Sequence, residues 1–433
     1  MENSSTNSKE DDMNPLEVLW QFSILRSEQW KSWDEIEKAQ AKKLRQILSS
    51  ASKTEFYKNR LSGISSDNFH ALPTTSKSDV QKNPESFLNP EVPAIFCTKT
   101  SGSTGTPMSI FWDNASLVHS VAMRALSTTE FGFGPFDKFA IFGVDRKPAP
   151  IYRSLPGTYQ SVFFSIFDDP MENYEDLRRS KANIIGWYPS TITTLARINA
   201  ESKNPLRFKA AFCGGEPLNS AARKFISDSF SCEVFDHYGL AEFSTIAFEC
   251  PKHNLHVNTS LLVEIVDQNG APIQNGVGEV VITSLHNKAM PLLRYATGDF
   301  ASWGTCSCGR GSKVLKSVRG RKDDLIALPS GRLCSALNIN RMDGLTYLLE
   351  FRIIQEKPDL FVFHYVPNGK DISASQKKEI ADLIEKGCMG EAVCVEFEKS
   401  NSLKKGKSGK LSTVVSKVVP KENPEYEIWN ADA

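Results

Sequence analysis

The stretch that decides the fold is residues 210–240, AAFCGGEPLNSAARKFISDSFSCEVFDHYGL. It opens with a short apolar run at residues 210–214, passes through a helix-like segment and returns to an apolar run at residues 233–235. Short apolar runs of this kind are typical of buried strands, and a helix between two of them is typical of a parallel sheet. The stretch therefore predicts an α/β sheet with both faces covered by helices.

The same alternation extends toward the N-terminus, where apolar runs occupy residues 139–143 and 183–188. Before them, Ser32 and Glu35 form a capping-box pattern that predicts the start of a helix. Apolar residues then repeat at helical spacing over residues 44–51. We therefore expect a mostly helical front section, preceded by a disordered tail over residues 1–14.

A hairpin is predicted further along the large domain. Residues 263–267 and 278–285 are strand-like, and Asn269 and Gly270 lie between them. An Asn-Gly pair is typical of hairpin turns because both residues adopt positive φ angles readily. We therefore expect two antiparallel strands here, with both residues of the pair at positive φ.

A second unit begins after Arg321 and has the order of a small α+β domain. Its elements are strand-like apolar runs around one helical segment: residues 351–355, 360–366, 375–386 and 393–397. The expected fold class is thus α/β, with a large N-terminal α/β domain over residues 15–322. A small α+β domain follows over residues 323–433.

Composition narrows the kind of protein. The chain has 433 residues, and its 51 Lys and Arg balance its 51 Asp and Glu, which argues against an electrostatic nucleic-acid binder. No run of about 18 apolar residues predicts a transmembrane helix, and the polar first dozen residues are unlike a secretory signal. Nine cysteines, an odd number, are typical of reduced thiols. We expect a soluble cytoplasmic enzyme, monomeric or homodimeric, without a nucleic-acid or membrane partner.

The most informative motif is TKTSGSTGTP, residues 98–107. Glycines let a backbone approach an anion closely, and successive N–H groups and hydroxyls donate to phosphate oxygens. It is not a Walker A loop, because no Gly-Lys-Ser/Thr follows at the required spacing. On composition alone, a flexible Ser/Gly loop is an equal alternative.

Five further motifs follow in a fixed order. They are GGEP at residues 214–217, DHYGLAE at 236–242, RYATGD at 294–299, GRKDD at 320–324 and SGK at 408–410. Together with the Ser/Gly loop, this series resembles the adenylate-forming (acyl-CoA synthetase) superfamily, and within it the phenylacetate–CoA ligase branch. The resemblance covers the chain from about Leu72 to its end, and it implies a large domain of adenylate-forming type with a small mobile C-terminal domain.

The resemblance also implies a site for ATP. The loop over its β- and γ-phosphates would be Thr100, Ser101, Gly102, Ser103, Thr104 and Gly105. The segments that line the adenine would be Gly215, Glu216 and Pro217 together with Asp236, His237, Tyr238 and Gly239, with the Tyr238 ring available for stacking. His237 would at most orient the substrate.

Five more residues receive roles from the resemblance. Asp299 would accept hydrogen bonds from both ribose hydroxyls, and Arg321 would lie close to the same nucleotide. Glu242 would be associated with Mg²⁺, which prefers oxygen ligands. Asp323 would be the interdomain hinge, and the catalytic Lys410 would reach the reacting carboxylate and the α-phosphate.

A separate group of residues predicts a structural zinc site. Cys306 and Cys308 form a tight thiol pair before Gly309, and Cys250 lies upstream with His253 and His256. Three thiolates and one imidazole would close a tetrahedral site and leave no open position. We prefer His256, which lies in a Leu-His-Val strand pattern, and His253 stays an alternative. Unrelated buried thiols with a surface histidine are the other interpretation.

The expected function is ATP-dependent activation of a carboxylic acid through an acyl-adenylate, followed by transfer to coenzyme A. The resemblance places residues 186–190 in the stretch where relatives build their acid site, and Trp187 and Tyr188, with Phe235, would favour an aryl or arylacetic acid. A core role for Trp187 is an equal alternative. One alternative is an adenylate-forming amide or ester synthetase, or an AMP transferase, in a biosynthetic pathway. Another is a non-catalytic, zinc-stapled nucleotide-binding protein, favoured by Ala241 in place of a hydroxyl residue and by a phosphate loop without lysine.

Overall fold

The computed structural model describes residues 13–99, 108–144, 160–321, 325–339, 342, 345–403 and 411–418. Within them the helices are α1 (Pro15–Glu28), α2 (Trp33–Ala51), α3 (Lys77–Lys82), α4 (Asn114–Glu130), α5 (Pro170–Ser180), α6 (Pro189–Glu201), α7 (Ser220–Phe230) and α8 (Ala374–Gly387). Short 3₁₀ turns cover Phe69–Ala71, Pro84–Phe87 and Ala336–Asn338.

The strands of the large domain are β1 (Phe96–Lys99), β2 (Ser109–Trp112), β3 (Lys138–Gly143), β4 (Gln160–Ser165), β5 (Ile184–Trp187), β6 (Ala210–Gly214), β7 (Glu233–Leu240), β8 (Ser244–Glu249), β9 (Leu255–Val257), β10 (Leu261–Val266), β11 (Gly278–Ser284), β12 (Tyr295–Gly304) and β13 (Val314–Arg321). After these come β14 (Leu325–Ala327), β15 (Leu333–Ser335), β16 (Leu348–Lys357), β17 (Leu360–Pro367), β18 (Cys394–Lys399) and β19 (Val414–Ser416).

The front of the chain is helical, as predicted. The Asn14 side chain accepts the N–H of Leu16 at the start of α1, and Pro15 occupies the first helical position, where a missing N–H costs nothing. The predicted capping box of Ser32 and Glu35 is present at the start of α2. Residues 1–12 of the predicted tail lie outside the described residues.

An 11-stranded sheet forms the centre of the large domain, in the order β10-β11-β12-β13-β9-β8-β7-β6-β5-β3-β4. Strands β3 to β7 run parallel, and the rest pair antiparallel. Side chains that alternate along β3 separate its two faces: Phe142 packs with Ile192 of α6 and Ile226 of α7, whereas Ile141 packs with Met123 of α4. Helices therefore cover both faces of the parallel part, which confirms the predicted α/β class.

Two local predictions need correction. The strand predicted over residues 233–235 extends through the DHYG segment, because β7 leaves its parallel partner at His237 and continues antiparallel to β8 as far as Leu240. The β10–β11 hairpin forms as predicted, but only Gly270 of the Asn-Gly pair has a positive φ, of 79°. The Asp267 carboxylate accepts the N–H of Asn269, which keeps that residue in an ordinary turn conformation.

A small α+β region forms after the large sheet. Strands β18-β17-β16-β19 make a four-stranded sheet, and α8 buries Ile380 and Ile384 with Phe363 of β17 in a hydrophobic core of its own. This confirms the predicted small α+β unit. The domain boundary and the hinge, Asp323, fall at residues 322–324, outside the described residues, and stay predictions. Among the helices described, none is long and apolar enough to cross a membrane.

Candidate active site

The candidate site begins at the carboxyl ends of the parallel strands, where open α/β sheets bind ligands. Gly215 follows β6 with a φ of 78°, a conformation that suits glycine. In β7, a Cβ at Gly239 would overlap the carbonyl oxygen of Ser244 on β8. Only glycine lets β7 and β8 approach this closely, and the pair is irregular between Tyr238 and Gly239.

Two tyrosine–carboxylate hydrogen bonds join distant strands at this edge. Tyr238 Oη on β7 donates to Asp299 Oδ2 on β12 over 2.8 Å, and Tyr295 Oη on β12 donates to Glu242 Oε1, just after β7, over 2.9 Å. Strands β13, β9 and β8 separate β7 from β12 in the sheet. The sheet must therefore curl to bring these strands together, and both predicted carboxylates lie on the curl.

The predicted ribose acceptor, Asp299, has a defined local setting. It is 7% exposed and lies at a register shift between Asp299 and Phe300, where a bulge re-aims side chains. The backbone of Arg321 pairs directly with Asp299, so the sheet itself brings these two predicted residues together. The bond from Tyr238 uses one acceptor position of the carboxylate, which offers about four in all.

Alternate residues of the DHYG segment face opposite sides of the sheet. Asp236 lies on the α7 side, where Arg223 Nη2 pairs with Glu249 Oε1 at 2.6 Å and the N–H of Asp236 donates to Glu249 Oε2. Burial, aided by Glu249, raises the pKa of Asp236 to about 7. The structure therefore does not bring Asp236 and His237 to one common surface, although both were predicted to line the adenine.

His237 forms part of an aromatic wall. Its ring centroid is 5.3 Å from that of Phe212 and 6.3 Å from that of Trp187, and its Nε2 lies 3.0 Å from Thr245 Oγ1. Burial lowers the pKa of His237 to about 3, so the imidazole is neutral at physiological pH. Trp187 has a φ of 120°, which is strained for so bulky a residue and recurs at ligand sites.

Glu216 connects the large domain with the small one. Its Oε2 accepts the N–H of Ser190 over 3.1 Å, and its Oε1 accepts the N–H of Leu411 over 2.6 Å. Next to it, a cavity of about 70 Å³ lies between the two domains, lined by residues of both, among them Thr193 and Phe351. The neighbouring Pro217 also lines this cavity, so the GGEP segment meets the small domain as well as the sheet edge.

Several predicted residues lie outside the described part of the chain. The phosphate loop Thr100, Ser101, Gly102, Ser103, Thr104 and Gly105 lies outside the described residues, as do Asp323 and Lys410. For Arg321 the structure describes the backbone alone. The assignment of these residues to a nucleotide site stays a prediction.

The four predicted zinc ligands come together. The ligand atoms of Cys250, His256, Cys306 and Cys308 all lie within 4.8 Å of one another. Cys250 Sγ and Cys306 Sγ are 3.6 Å apart, and Cys308 Sγ is 3.3 Å from His256 Nε2. A tetrahedral zinc with ligand bonds of 2.0–2.3 Å needs ligand atoms roughly 3.3–3.8 Å apart. These two distances lie in that range, and three thiols with one imidazole are a donor set that zinc binds, so the cluster is a candidate zinc site.

The surroundings of this cluster separate the two candidate histidines. His256 is buried, which lowers its pKa to about 4, and its Nδ1 lies 3.1 Å from Ser312 Oγ, a partner that orients the ring. His253 lies outside the cluster, with its Nδ1 3.1 Å from Glu249 Oε2. The arrangement of described side chains therefore favours His256 as the imidazole ligand.

The loop after the cysteine pair fastens the junction between α1 and α2. The N–H of Gly311 donates to the carbonyl of Gln29, and a Cβ at Gly311 would overlap the carbonyl oxygen of Lys31. Arg310 donates to the side chains of Gln29 and Glu130. The cysteine cluster thus lies beside the contact that holds the N-terminal helices on the large domain.

Two residues of the candidate site were not predicted from the sequence. Tyr295 orients Glu242, and Arg294 binds the carbonyls of His70 and Leu72, which anchors the entry to β12. Both residues belong to the RYATGD motif, which was interpreted for its aspartate alone. A buried arginine and tyrosine immediately before that aspartate were the signal that could have found them.

Comparison with known proteins agrees with this geometry. The AMP-binding enzyme family matches residues 24–287, more than half of the chain. The phenylacetate-coenzyme A ligase of Thermus thermophilus is 34% identical over 160 residues, which cover 34% of this chain and 36% of that protein. The Escherichia coli K12 enzyme of the same name is 24% identical over 335 residues, 69% of this chain and 74% of that protein.

Solved structures share the fold at low identity. The chain superposes on 2-hydroxyisobutyryl-CoA ligase in its postadenylation state with a TM-score of 0.72 and 20% identity, covering 90% of this chain and 91% of that one. Against the same ligase in the thioesterification state the TM-score is 0.59, at 21% identity and coverage of 89% and 90%.

The fold, the curled sheet edge and the family match together define the class: this chain belongs to the AMP-binding enzyme family of adenylate-forming ligases. Its relatives place it, within that family, in the phenylacetate–CoA ligase-like branch. Both conclusions confirm the resemblance that the ordered motifs indicated. The match to the Thermus thermophilus relative spans about a third of that protein's length.

Proposed function

We propose that the protein activates a carboxylic acid with ATP and transfers the acyl group to coenzyme A. In the first step a carboxylate oxygen of the acid attacks the α-phosphorus of ATP, and pyrophosphate leaves with the electrons of the broken P–O bond. In the second step the thiol sulfur of coenzyme A attacks the acyl carbon, loses its proton, and displaces AMP. Such reactions depend on positioning and on charge stabilisation more than on covalent catalysis.

The observation that carries this proposal is the reciprocal pair of hydrogen bonds from Tyr238 to Asp299 and from Tyr295 to Glu242. The two carboxylates are mostly buried, at 7% and 8% exposure, and each is oriented by a tyrosine from the other strand. We assign Asp299 to the ribose hydroxyls. Glu242 would hold Mg²⁺, which would neutralise charge on the phosphates of ATP when bound.

The acid is proposed to be an aryl or arylacetic acid. Trp187, Phe212 and His237 form an aromatic wall at the ligand-binding edge of the sheet. A neutral imidazole adds no charge to such a wall, and flat rings favour offset or edge contacts with an aromatic ligand. The curated relatives named phenylacetate-coenzyme A ligase support the same class of acid.

We propose that Lys410 supplies the cation for the first step. Leu411, its neighbour in the sequence, lies against Glu216 at the edge of the large domain. A lysine delivered there would stabilise the negative charge that develops between the acid and the α-phosphate. Rotation of the small domain about Asp323 would then withdraw it before the second step.

We further propose that Cys250, His256, Cys306 and Cys308 bind a structural zinc ion. The cluster supplies four ligands and leaves no open position, so the metal would stabilise the fold and take no part in the reaction. Its position beside the Gly311 loop suits a role in fastening the N-terminal helices.

The test is ATP–pyrophosphate exchange with a panel of aromatic and aliphatic acids, followed by AMP release with coenzyme A or with amines. Exchange that depends on an aryl acid, and AMP release that depends on coenzyme A, are the expected results. Release with an amine alone would favour an amide synthetase. Nucleotide binding without exchange for any acid would favour a non-catalytic protein and overturn the proposal.

A further inference from the structure

Glu216 was expected to line the adenine, but both of its oxygens accept hydrogen bonds from protein backbone in the structure. Its carboxylate is partly buried, and each of its two oxygens accepts a peptide N–H: that of Ser190 in the large domain and that of Leu411 in the small one. Carboxylate hydrogen bonds of this kind are roughly twice as strong as neutral ones. Glu216 is therefore a direct, charge-assisted connection between the two domains.

The large domain fixes one end of this connection. Pro189 is the first residue of α6, and the N–H of Ser190 is one of the helix groups that have no partner within the helix. The positive end of the helix dipole also favours a carboxylate at this place. Helix α6 thus orients Glu216 Oε2, and Oε1 is presented to the small domain.

The other end of the connection is the backbone N–H of Leu411, which makes the 2.6 Å bond to Glu216. Because this N–H belongs to a planar, rigid peptide group, the bond restricts the position and the direction of the chain at Leu411. Glu216 therefore acts on the chain at the residue that follows Lys410.

The remaining contacts near Glu216 suggest an interface that can separate. Asn219 Nδ2 donates to the carbonyl of Leu349 over 3.2 Å, and Arg197 donates to the carbonyl of Asn401. Within the described residues, the hydroxyls of Ser190 and Thr193 at the cavity between the domains are buried without a hydrogen-bond partner. Buried hydroxyls without a hydrogen-bond partner cost free energy, so they lower the stability of this interface.

We propose that Glu216 is a positioning residue for the activation step: it holds the 410–411 peptide in place while the acid reacts with ATP, and it releases that peptide before coenzyme A reacts. The proposal rests on the proposed function and adds to it a residue that acts through Lys410. It predicts that Glu216 affects one of the two steps and leaves the affinity for the adenine nucleotide unchanged.

The experiment compares wild type with Glu216→Gln in the two steps separately. Glutamine keeps the shape and one acceptor oxygen but loses the charge, and it presents an NH₂ group to the second N–H. We expect ATP–pyrophosphate exchange to fall by about 10- to 100-fold, the scale of losing a hydrogen bond to a charged group. KM for ATP and the rate of thioester formation from a preformed acyl-adenylate should stay within about twofold.

Glu175→Gln is the matched control. It makes the same chemical change on the exposed surface of α5, where Glu175 pairs only loosely with Arg178 at 3.8 Å. Both steps should be unchanged in this variant. Thermal unfolding of all three proteins shows whether the Glu216 variant is folded. Equal loss of both steps in a folded Glu216→Gln, or a raised KM for ATP with weaker acyl-adenylate binding, would overturn the positioning role.

Hydrogen–deuterium exchange tests the contact without any substrate. The peptide that contains the Leu411 amide should exchange faster in Glu216→Gln than in wild type and Glu175→Gln, because a lost hydrogen bond exposes that amide more often. An unchanged rate of deuterium exchange at this amide would refute the proposal even for an inactive protein. If the Leu411 amide is protected in wild type but no acid supports ATP–pyrophosphate exchange, the proposed function fails and the contact stands.

Discussion

Replacing Tyr295 by phenylalanine tests whether the hydrogen bond from β12 orients Glu242, the proposed Mg²⁺ ligand. The change removes the hydroxyl that donates to Glu242 Oε1 over 2.9 Å, between side chains that are 1% and 8% exposed. A hydrogen bond to a charged acceptor contributes about 1.5–3 kcal/mol. Loss of a partner that orients a metal ligand typically weakens metal binding by about 10- to 100-fold. The two magnitudes agree, because about 1.4 kcal/mol corresponds to a factor of ten.

We therefore expect Tyr295→Phe to raise the Mg²⁺ concentration for half-maximal pyrophosphate exchange by about 10- to 100-fold. The assay varies free Mg²⁺ at a fixed concentration of acid and ATP. Tyr174→Phe is the matched control, since it removes a buried hydroxyl that donates to Asn199 Oδ1 over 2.6 Å in a separate part of the hydrophobic core, between α5 and α6. The control should lose stability and keep its Mg²⁺ dependence.

The reasoning is refuted if folded Tyr295→Phe shows the same Mg²⁺ midpoint and the same maximal rate as wild type. It is also refuted if Tyr174→Phe shifts the midpoint equally, because the shift would then reflect general loosening of the domain and not the orientation of Glu242.

Three further predictions concern the zinc cluster, its neighbouring loop and the buried aspartate. Cys308→Ser is expected to lower bound zinc from about one ion per chain to a small fraction, while His253→Ala keeps the ion; metal analysis after dialysis measures both, and equal loss would contradict the ligand assignment. Gly311→Ala should reduce stability by about 1–3 kcal/mol, because its Cβ would overlap the carbonyl of Lys31; an unchanged thermal midpoint argues against this. Burial raises the pKa of Asp236 to about 7, so the folded state binds this proton more tightly than the unfolded chain, and stability decreases as the pH rises from about 4 to about 7. Asp236→Asn lacks that loss, so its thermal midpoint relative to wild type should increase across the same window; a constant difference would show that the group is ionised throughout.

The elements that were predicted well are those in which local sequence and tertiary position agree. The run at residues 210–214 is β6, with every residue buried, and the apolar face of α8 is the one that packs on the small sheet. The end of β7 was not predictable from its apolar run, because residues 236–240 stay in the strand by changing partners from β6 to β8. That change depends on β8, a later strand whose residues pair with residues 237–240.

For the candidate site, the sequence indicated a set of residues but not their geometry. The order of motifs selected Asp299 and Glu242, yet nothing in the spacing indicated that Tyr238 and Tyr295 would cross-link them. Such bonds arise from the curl of the sheet, which brings together residues 61 and 53 positions apart in the chain. The contact between Glu216 and Leu411 was not predictable either, because it depends on how the two domains meet.

Residues that line the cavity between the domains can be substituted to change how tightly the two domains associate. Thr193→Val replaces a hydroxyl that has no hydrogen-bond partner among the described residues with a methyl group of similar size. This change should stabilise the domain contact seen in the structure relative to the proposed rotated arrangement. An enzyme held in this domain arrangement would accumulate the acyl-adenylate, a mixed anhydride, because transfer of the acyl group to coenzyme A would be slowed. Added nucleophiles could then intercept that intermediate, and the ligase would become a source of activated acids for synthesis.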